Sequence, residues 1–204
     1  MTENLLDFWE NIPPKISPIA LEESTTARAL KGSQFGDDGI IREVMKRLSI
    51  SNGTFFEFGA VDGVTICNSR QLWESGWSGM LIEPNPVKFD LLIQNYKNDP
   101  KVVCLLTQVD TTDNNINNLI NRNLGRCPDF LCIDIDGPDF DVLEHIGNYR
   151  PAVIHIEVGI VVDPNQTFDS ATNRRDGHPL GFAVEFMKKN WLYSCFVLYK
   201  CYLC

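Results

Sequence analysis

The 204-residue chain has no run of about 18 apolar residues, the length needed to cross a bilayer, so no membrane span is expected. Its opening, MTENLLDFWENIPPK, lacks the basic-then-apolar order of a secretory signal, and the expected compartment is the cytoplasm. Basic clusters are missing as well, since Lys188-Lys189 and Arg174-Arg175 are only pairs. Lys+Arg of 18 against Asp+Glu of 27 gives a net charge of −9, which repels the phosphates of nucleic acids and of anionic lipid. No nucleic-acid partner is expected. Internal repeats are absent, and the one biased stretch, Asn114 to Asn123, reads as a polar helix face or its cap. At 44% hydrophobic and 22% charged, the chain lacks the bias of disordered or collagen-like sequences. The seven cysteines do not make an even set, and Cys104, Cys132 and Cys195 lie in apolar runs, which suits reduced core thiols better than a disulfide framework.

What is present is enough for one α/β domain with a full core. Residues 1–32 hold a proline-interrupted lead and ALEESTTARALKG, whose helical composition ends on Gly32, so an N-terminal helical extension is expected there, with the main domain over 33–204. Asp37-Asp38 then open GIIREVMKRL, where Ile40, Ile41, Val44 and Leu48 recur at helical spacing. Five apolar runs follow, TFFEFG, GMLIEP, VVCLLTQV, FLCIDI and AVIHIEVGIVV, separated by helical or polar segments. Such alternation specifies βαβ units and a doubly wound, mostly parallel sheet covered on both faces. PLGFAVEFMKKN reads as one more helix, and WLYSCFVLYKCYLC as one or two closing strands.

In open parallel sheets the ligand lies beyond the carboxyl ends of the strands. After the first run comes Glu57-Phe58-Gly59-Ala60-Val61-Asp62-Gly63, where two glycines four apart allow a sharp bend and close approach to a ligand. The loop lacks the third glycine of a dinucleotide fingerprint and carries carboxylates, which favours a positively charged cofactor over a pyrophosphate. Glu83 ends the second run 20 residues beyond Gly63, in place to accept hydrogen bonds from ribose hydroxyls. An ordinary strand-end turn before Pro84 is the alternative. After the fourth run, Asp134 and Asp136 alternate as on a strand and share a face, so they need a compensating sulfonium, divalent cation or polar acceptor. Glu157 ends the fifth run and completes an oxygen-donor set for an ion such as Mg²⁺ with Asp134 and Asp136. Asp139 or Gly137 reads as the N-cap of PDFDVLEHI, with Pro138 as its first residue.

EFGAVDG followed by LIEPNP resembles the S-adenosylmethionine loop and ribose-binding acid of class I methyltransferases. More narrowly, SQFGDDGII, GAVDGVTICNSRQLWESGWSGMLIEPNP, CIDIDGPDFDVLEHI and VIHIEVG resemble, in that order, the blocks of FkbM-type methyltransferases, covering about residues 33 to 160. The resemblance implies a Rossmann-like fold and S-adenosylmethionine as cofactor. It further implies that Glu57, Phe58, Gly59, Ala60, Asp62 and Gly63 line the methionine part, with Glu83, Pro84 and Asn85 at the ribose. Gln34 and Asn68 fall in the flanking blocks and would reach the cofactor carboxylate. Thr107, Gln108 or Asp110 would contact the adenine, and Asp134 would border the cofactor.

The family resembled is chiefly one of O-methyltransferases, so the expected acceptor is a hydroxyl on a small molecule or carbohydrate. Such transfer needs in-line approach and removal of the hydroxyl proton. Asp134, Asp136, Glu157 and His178 are the candidate bases, although His178 in DGHPLG also reads as an exposed turn residue and His155 as a core histidine. Two other readings remain. One is a metal-dependent glycosyltransferase-like enzyme, with Asp134-Ile135-Asp136 as a DxD motif. The other is a non-catalytic cofactor-binding module of the same fold. The terminal Cys201-Tyr202-Leu203-Cys204 lacks the partner ligands of a zinc site.

Overall fold

The computed structural model describes residues 33, 37–158, 178–190 and 195–200. The expected extension over 1–32, Gln34 and the terminal CxxC lie outside them. Chain order is α1 (Asp37–Arg47), β1 (Thr54–Phe58), α2 (Arg70–Glu74), β2 (Ser78–Ile82), α3 (Pro86–Tyr96), β3 (Val102–Leu105), α4 (Ile116–Asn123), β4 (Phe130–Ile133), α5 (Asp139–Leu143), a 3₁₀ turn (Glu144–Ile146), β5 (Val153–Val158), α6 (Leu180–Asn190) and β6 (Cys195–Lys200). The strands form one sheet in the order β3-β2-β1-β4-β5-β6. Every pairing is parallel, from Thr54 against Ser78 to Val158 against Lys200. This is a Rossmann-like α/β fold, and among the described residues of the closing segment Cys195–Lys200 form a parallel strand beside β5.

Both faces of the sheet are covered, which is why the strands read as continuous apolar runs. One face presents Phe56, Met80, Leu131 and Ile154 to α4, α5 and α6 through Ile120, Phe140 and Phe186. The other presents Phe55, Leu81, Phe130 and Val153 to α1, α2 and α3 through Ile41, Leu72 and Leu92. The helix starts are set by local chemistry. Asn85 caps α3 by accepting from the Val87 and Lys88 N–H groups, with Pro86 as its first residue. Asn115 caps α4 through the Asn118 N–H, so the asparagine-rich stretch is both a cap and a helix face.

Two local expectations change. The run FLCIDI ends as a strand at Ile133, so Asp134 and Asp136 lie in the turn beyond it rather than alternating on it. Asp139 is the first residue of α5 rather than its cap, and its carboxylate reaches back to the Ile135 and Gly137 N–H groups at 3.1 Å each. Among the described residues no helix is long and apolar enough to cross a membrane.

Candidate functional site

In a sheet of this order the connections change direction between β1 and β4, and a crevice opens at their carboxyl ends. A cleft of about 580 Å³ lies there. It takes Phe58, Gly59 and Val61 from the end of β1, and Ile82, Glu83, Pro84 and Lys88 from β2 and α3. Thr107, Gln108 and Val109 come from beyond β3, Asp134 and Asp136 from beyond β4, and Glu157 from β5. The floor requires glycine: Gly59 has φ +72°, and a Cβ there would stand 2.1 Å from the Asp134 carbonyl oxygen. The ends of β1 and β4 therefore meet backbone to backbone under the cleft.

The loop from Gly59 to Ser69 is held by carboxylates. Glu83, 3% exposed, accepts from the Val61 N–H through Oε2 at 3.0 Å and from the Asn85 N–H through Oε1 at 2.8 Å. Asp62 accepts from the Val64 and Thr65 N–H groups and the Thr65 hydroxyl. Burial pushes its carboxyl up, but these donors outweigh that and hold it below the ordinary aspartate value. Glu57 is buried and accepts from the Asn68 N–H at 2.9 Å, the Ser69 N–H at 2.8 Å, the Ser69 hydroxyl and the Cys67 thiol. Burial still raises its pKa above the usual range, and burial beside the Glu57 charge pushes the Cys67 thiol far up. Gly63 lets Tyr96 pack against the loop, its hydroxyl donating to the Gly63 carbonyl at 2.6 Å.

Of the residues inferred from sequence, the structure brings Phe58, Gly59, Glu83, Pro84, Thr107, Gln108, Asp134, Asp136 and Glu157 to the cleft. Glu57, Ala60, Asp62, Gly63, Asn68, Asn85 and Asp110 are not in its lining. Their side chains serve the scaffold: Glu57 and Asp62 hold the loop, and Asn68 donates to the Cys132 sulfur at 3.4 Å. Asn85 caps α3, and Asp110 accepts from Thr112 and Asn114 within its own turn. His178 is neither an exposed turn residue nor part of the cleft lining. It is 2% exposed, stacked on Phe182 at 4.5 Å and edge-on to Phe140, and burial lowers its pKa. His155 is the core histidine its strand position suggested, with Nδ1 3.3 Å from the Cys132 sulfur and Nε2 3.9 Å from an Asp37 oxygen.

Asp134, Asp136 and Glu157 offer carboxylate oxygens within 4.8 Å of one another. What brings them together is the turn after β4, where Asp136 sits at φ +55°. Hard oxygen donors so grouped fit a divalent cation, a cationic ligand or hydroxyl hydrogens. Sequence reasoning missed Lys88, Val61 and Ile66 in the lining. Lys88 carried a signal, being in the first turn of the helix that follows the Glu83 strand.

No family model matches the chain, and no curated protein matches it. Solved structures do. The fibrillarin/Nop5p complex aligns at 16% identity over 46% of this chain and 42% of that one, with a TM-score of 0.34. A candidate caffeoyl-CoA O-methyltransferase from Staphylococcus aureus aligns at 15% identity over 70% and 65%, TM-score 0.43. A candidate short-chain alcohol dehydrogenase from Burkholderia multivorans aligns at 16% identity over 71% and 81%, TM-score 0.46. The chain spans less than two thirds of the length of the first two.

Proposed function

We propose that the protein is an S-adenosylmethionine-dependent methyltransferase of FkbM type, acting in the cytoplasm on a hydroxyl of a small-molecule or carbohydrate acceptor. The observation that carries this reading is the fate of the backbone N–H groups in the loop after β1. A dinucleotide site offers such groups to a pyrophosphate. Here Val61 donates to Glu83, Val64 and Thr65 donate to Asp62, and Asn68 and Ser69 donate to Glu57. The loop's N–H groups are thus taken up by three carboxylates, and at the cleft itself the Val61 N–H, the one of the five whose residue is in the lining, is held by Glu83. A nicotinamide dinucleotide, or the diphosphate of a nucleotide sugar, would meet the Glu83 carboxylate in place of that N–H group. A ligand with ribose hydroxyls and a sulfonium, but no phosphate, suits the same surroundings.

The cleft fits that cofactor. Glu83 keeps a free lone pair on each oxygen beyond the N–H group it already holds, enough for two ribose hydroxyls. In this reading Gln108 and Thr107 would border the adenine, Gly59 and Phe58 would form the floor, and Asp134 would face the sulfonium. When bound, S-adenosylmethionine supplies an electrophilic methyl on a positively charged sulfur. The residues of this chain orient the acceptor in line and receive its hydroxyl proton on a carboxylate oxygen of Asp134, Asp136 or Glu157. The same trio would hold a divalent cation such as Mg²⁺, which would bring an acceptor hydroxyl to the cleft and lower its pKa. Negative charge on the trio and on the whole chain disfavours a nucleic-acid acceptor.

Calorimetric titration tests the reading. S-adenosylhomocysteine and S-adenosylmethionine are expected to bind, with NAD⁺, NADP⁺ and UDP-glucose plus Mn²⁺ as controls. Glu83→Ala is expected to weaken adenosyl binding by about 1–3 kcal/mol, the scale of hydrogen bonds to a charged group. Binding of UDP-glucose alone would transfer the assignment to the DxD reading, and a dinucleotide alone would make the protein a dehydrogenase-like binder. Methyl transfer separates an enzyme from a binding module, and Asp134→Ala would abolish turnover only in the enzyme.

A further inference from the structure

The loop after β1 contains three left-handed residues at alternate positions, with φ +72° at Gly59, +54° at Val61 and +72° at Gly63. Two are glycine, for which the conformation is free of steric cost. Val61 is β-branched, and a β-branched residue at positive φ is held there by its surroundings. The holding contacts are on both sides of it. The Val61 N–H donates to Glu83 Oε2 at 3.0 Å, and the following residue, Asp62, is fixed through Val64 and Thr65. The loop thus carries a side chain at a left-handed position between two glycines.

Val61 lines the cleft together with Phe58, Gly59 and Glu83. In a G-x-G-x-x-G loop the second glycine, two residues after the first, lets the backbone approach the pyrophosphate closely. Val61 occupies that place relative to Gly59. Val61 is in the cleft lining and half-buried, and its N–H is committed to Glu83. We propose that Val61 is a specificity-determining residue: its side chain takes the volume through which a diphosphate would leave the ribose, so the cleft accepts adenosyl ligands without phosphate and excludes adenosine diphosphates. This rests on the adenosyl-cofactor reading above and adds to it the residue that enforces the choice.

Val61→Gly and Val61→Ala test the proposal, with S-adenosylhomocysteine and ADP as probes in calorimetry at one ionic strength. Glycine suits the left-handed conformation and folds. Alanine keeps the β-carbon and its strain while removing the bulk, so agreement between the two variants assigns the effect to side-chain volume. Both are expected to reduce the preference for S-adenosylhomocysteine over ADP by about tenfold or more, the scale for removing methyl groups from a pocket wall. The change is expected to come from a gain in ADP affinity rather than a loss of adenosyl affinity. An unchanged ratio in both variants, with S-adenosylhomocysteine still bound, would overturn the role of Val61 and leave the cofactor assignment standing. A wild-type protein that binds ADP in preference, or binds neither probe, would overturn both.

Discussion

Asp139 is the clearest case of a charge whose work is done by geometry. Both of its oxygens hold N–H groups of the turn carrying Asp134 and Asp136, yet burial, with the Asp134 charge adding to it, raises its pKa to about 7. The unfolded side chain titrates near 3.9. Between those values the folded state binds a proton that the unfolded state has released, so stability falls as pH rises from about 4 to about 7 and is level above. Roughly three pH units correspond to about 4 kcal/mol at most. Urea unfolding of wild type and Asp139→Asn across that range checks this. The difference between the two proteins is expected to shift with pH, because the asparagine does not titrate. From sequence, Asp139 looked like a helix cap because a cap and a backward brace use the same residue type at the same place. The same ambiguity hid the roles of Glu57 and Asp62, since a carboxylate in a glycine loop reads alike whether it faces a ligand or its own backbone. Glu83 was legible because its spacing from the loop is a property of two consecutive strands.

At the scale of elements, the segment between β1 and α2 gives the core only Ala60 and Cys67. Glu57, the fourth residue of β1, fastens it by taking the Asn68 and Ser69 N–H groups just ahead of α2. Glu57→Ala leaves both donors buried without an acceptor, at about 1–3 kcal/mol each. A loss of roughly 2–5 kcal/mol in unfolding free energy is expected on that basis, read from the urea midpoint at constant slope. A merely solvated glutamate would change the midpoint little. The strands themselves were legible as apolar runs, but their ends were not. FLCIDI stops at Ile133 because the chain must turn under Gly59, a constraint set by β1, far away in sequence. His178 was misplaced for a related reason. The polar letters around it suggest a surface loop, whereas Phe140 and Phe182, from α5 and α6, enclose its ring.

For the whole molecule, alternation of runs and helices was enough to require a parallel, doubly wound sheet, because parallel strands need crossovers and crossovers cover both faces. The strand order follows from no single segment, and with it comes the position of the cleft at the reversal between β1 and β4. A ligand in that cleft touches the ends of five strands at once, so its binding energy is felt by the sheet as a unit. If S-adenosylhomocysteine binds only the folded state, a concentration one hundred times its Kd adds about 2.7 kcal/mol. For a chain of this size each kcal/mol raises Tm by about 2–4 °C, so a rise of roughly 5–11 °C is expected in a thermal melt. Glu83→Ala at the same ligand concentration is expected to lose most of that rise, and NAD⁺ to produce none. An equal rise with NAD⁺ would mean that the loop carboxylates give up their N–H groups to phosphate, and the assignment of the cleft to a phosphate-free adenosyl ligand would fall.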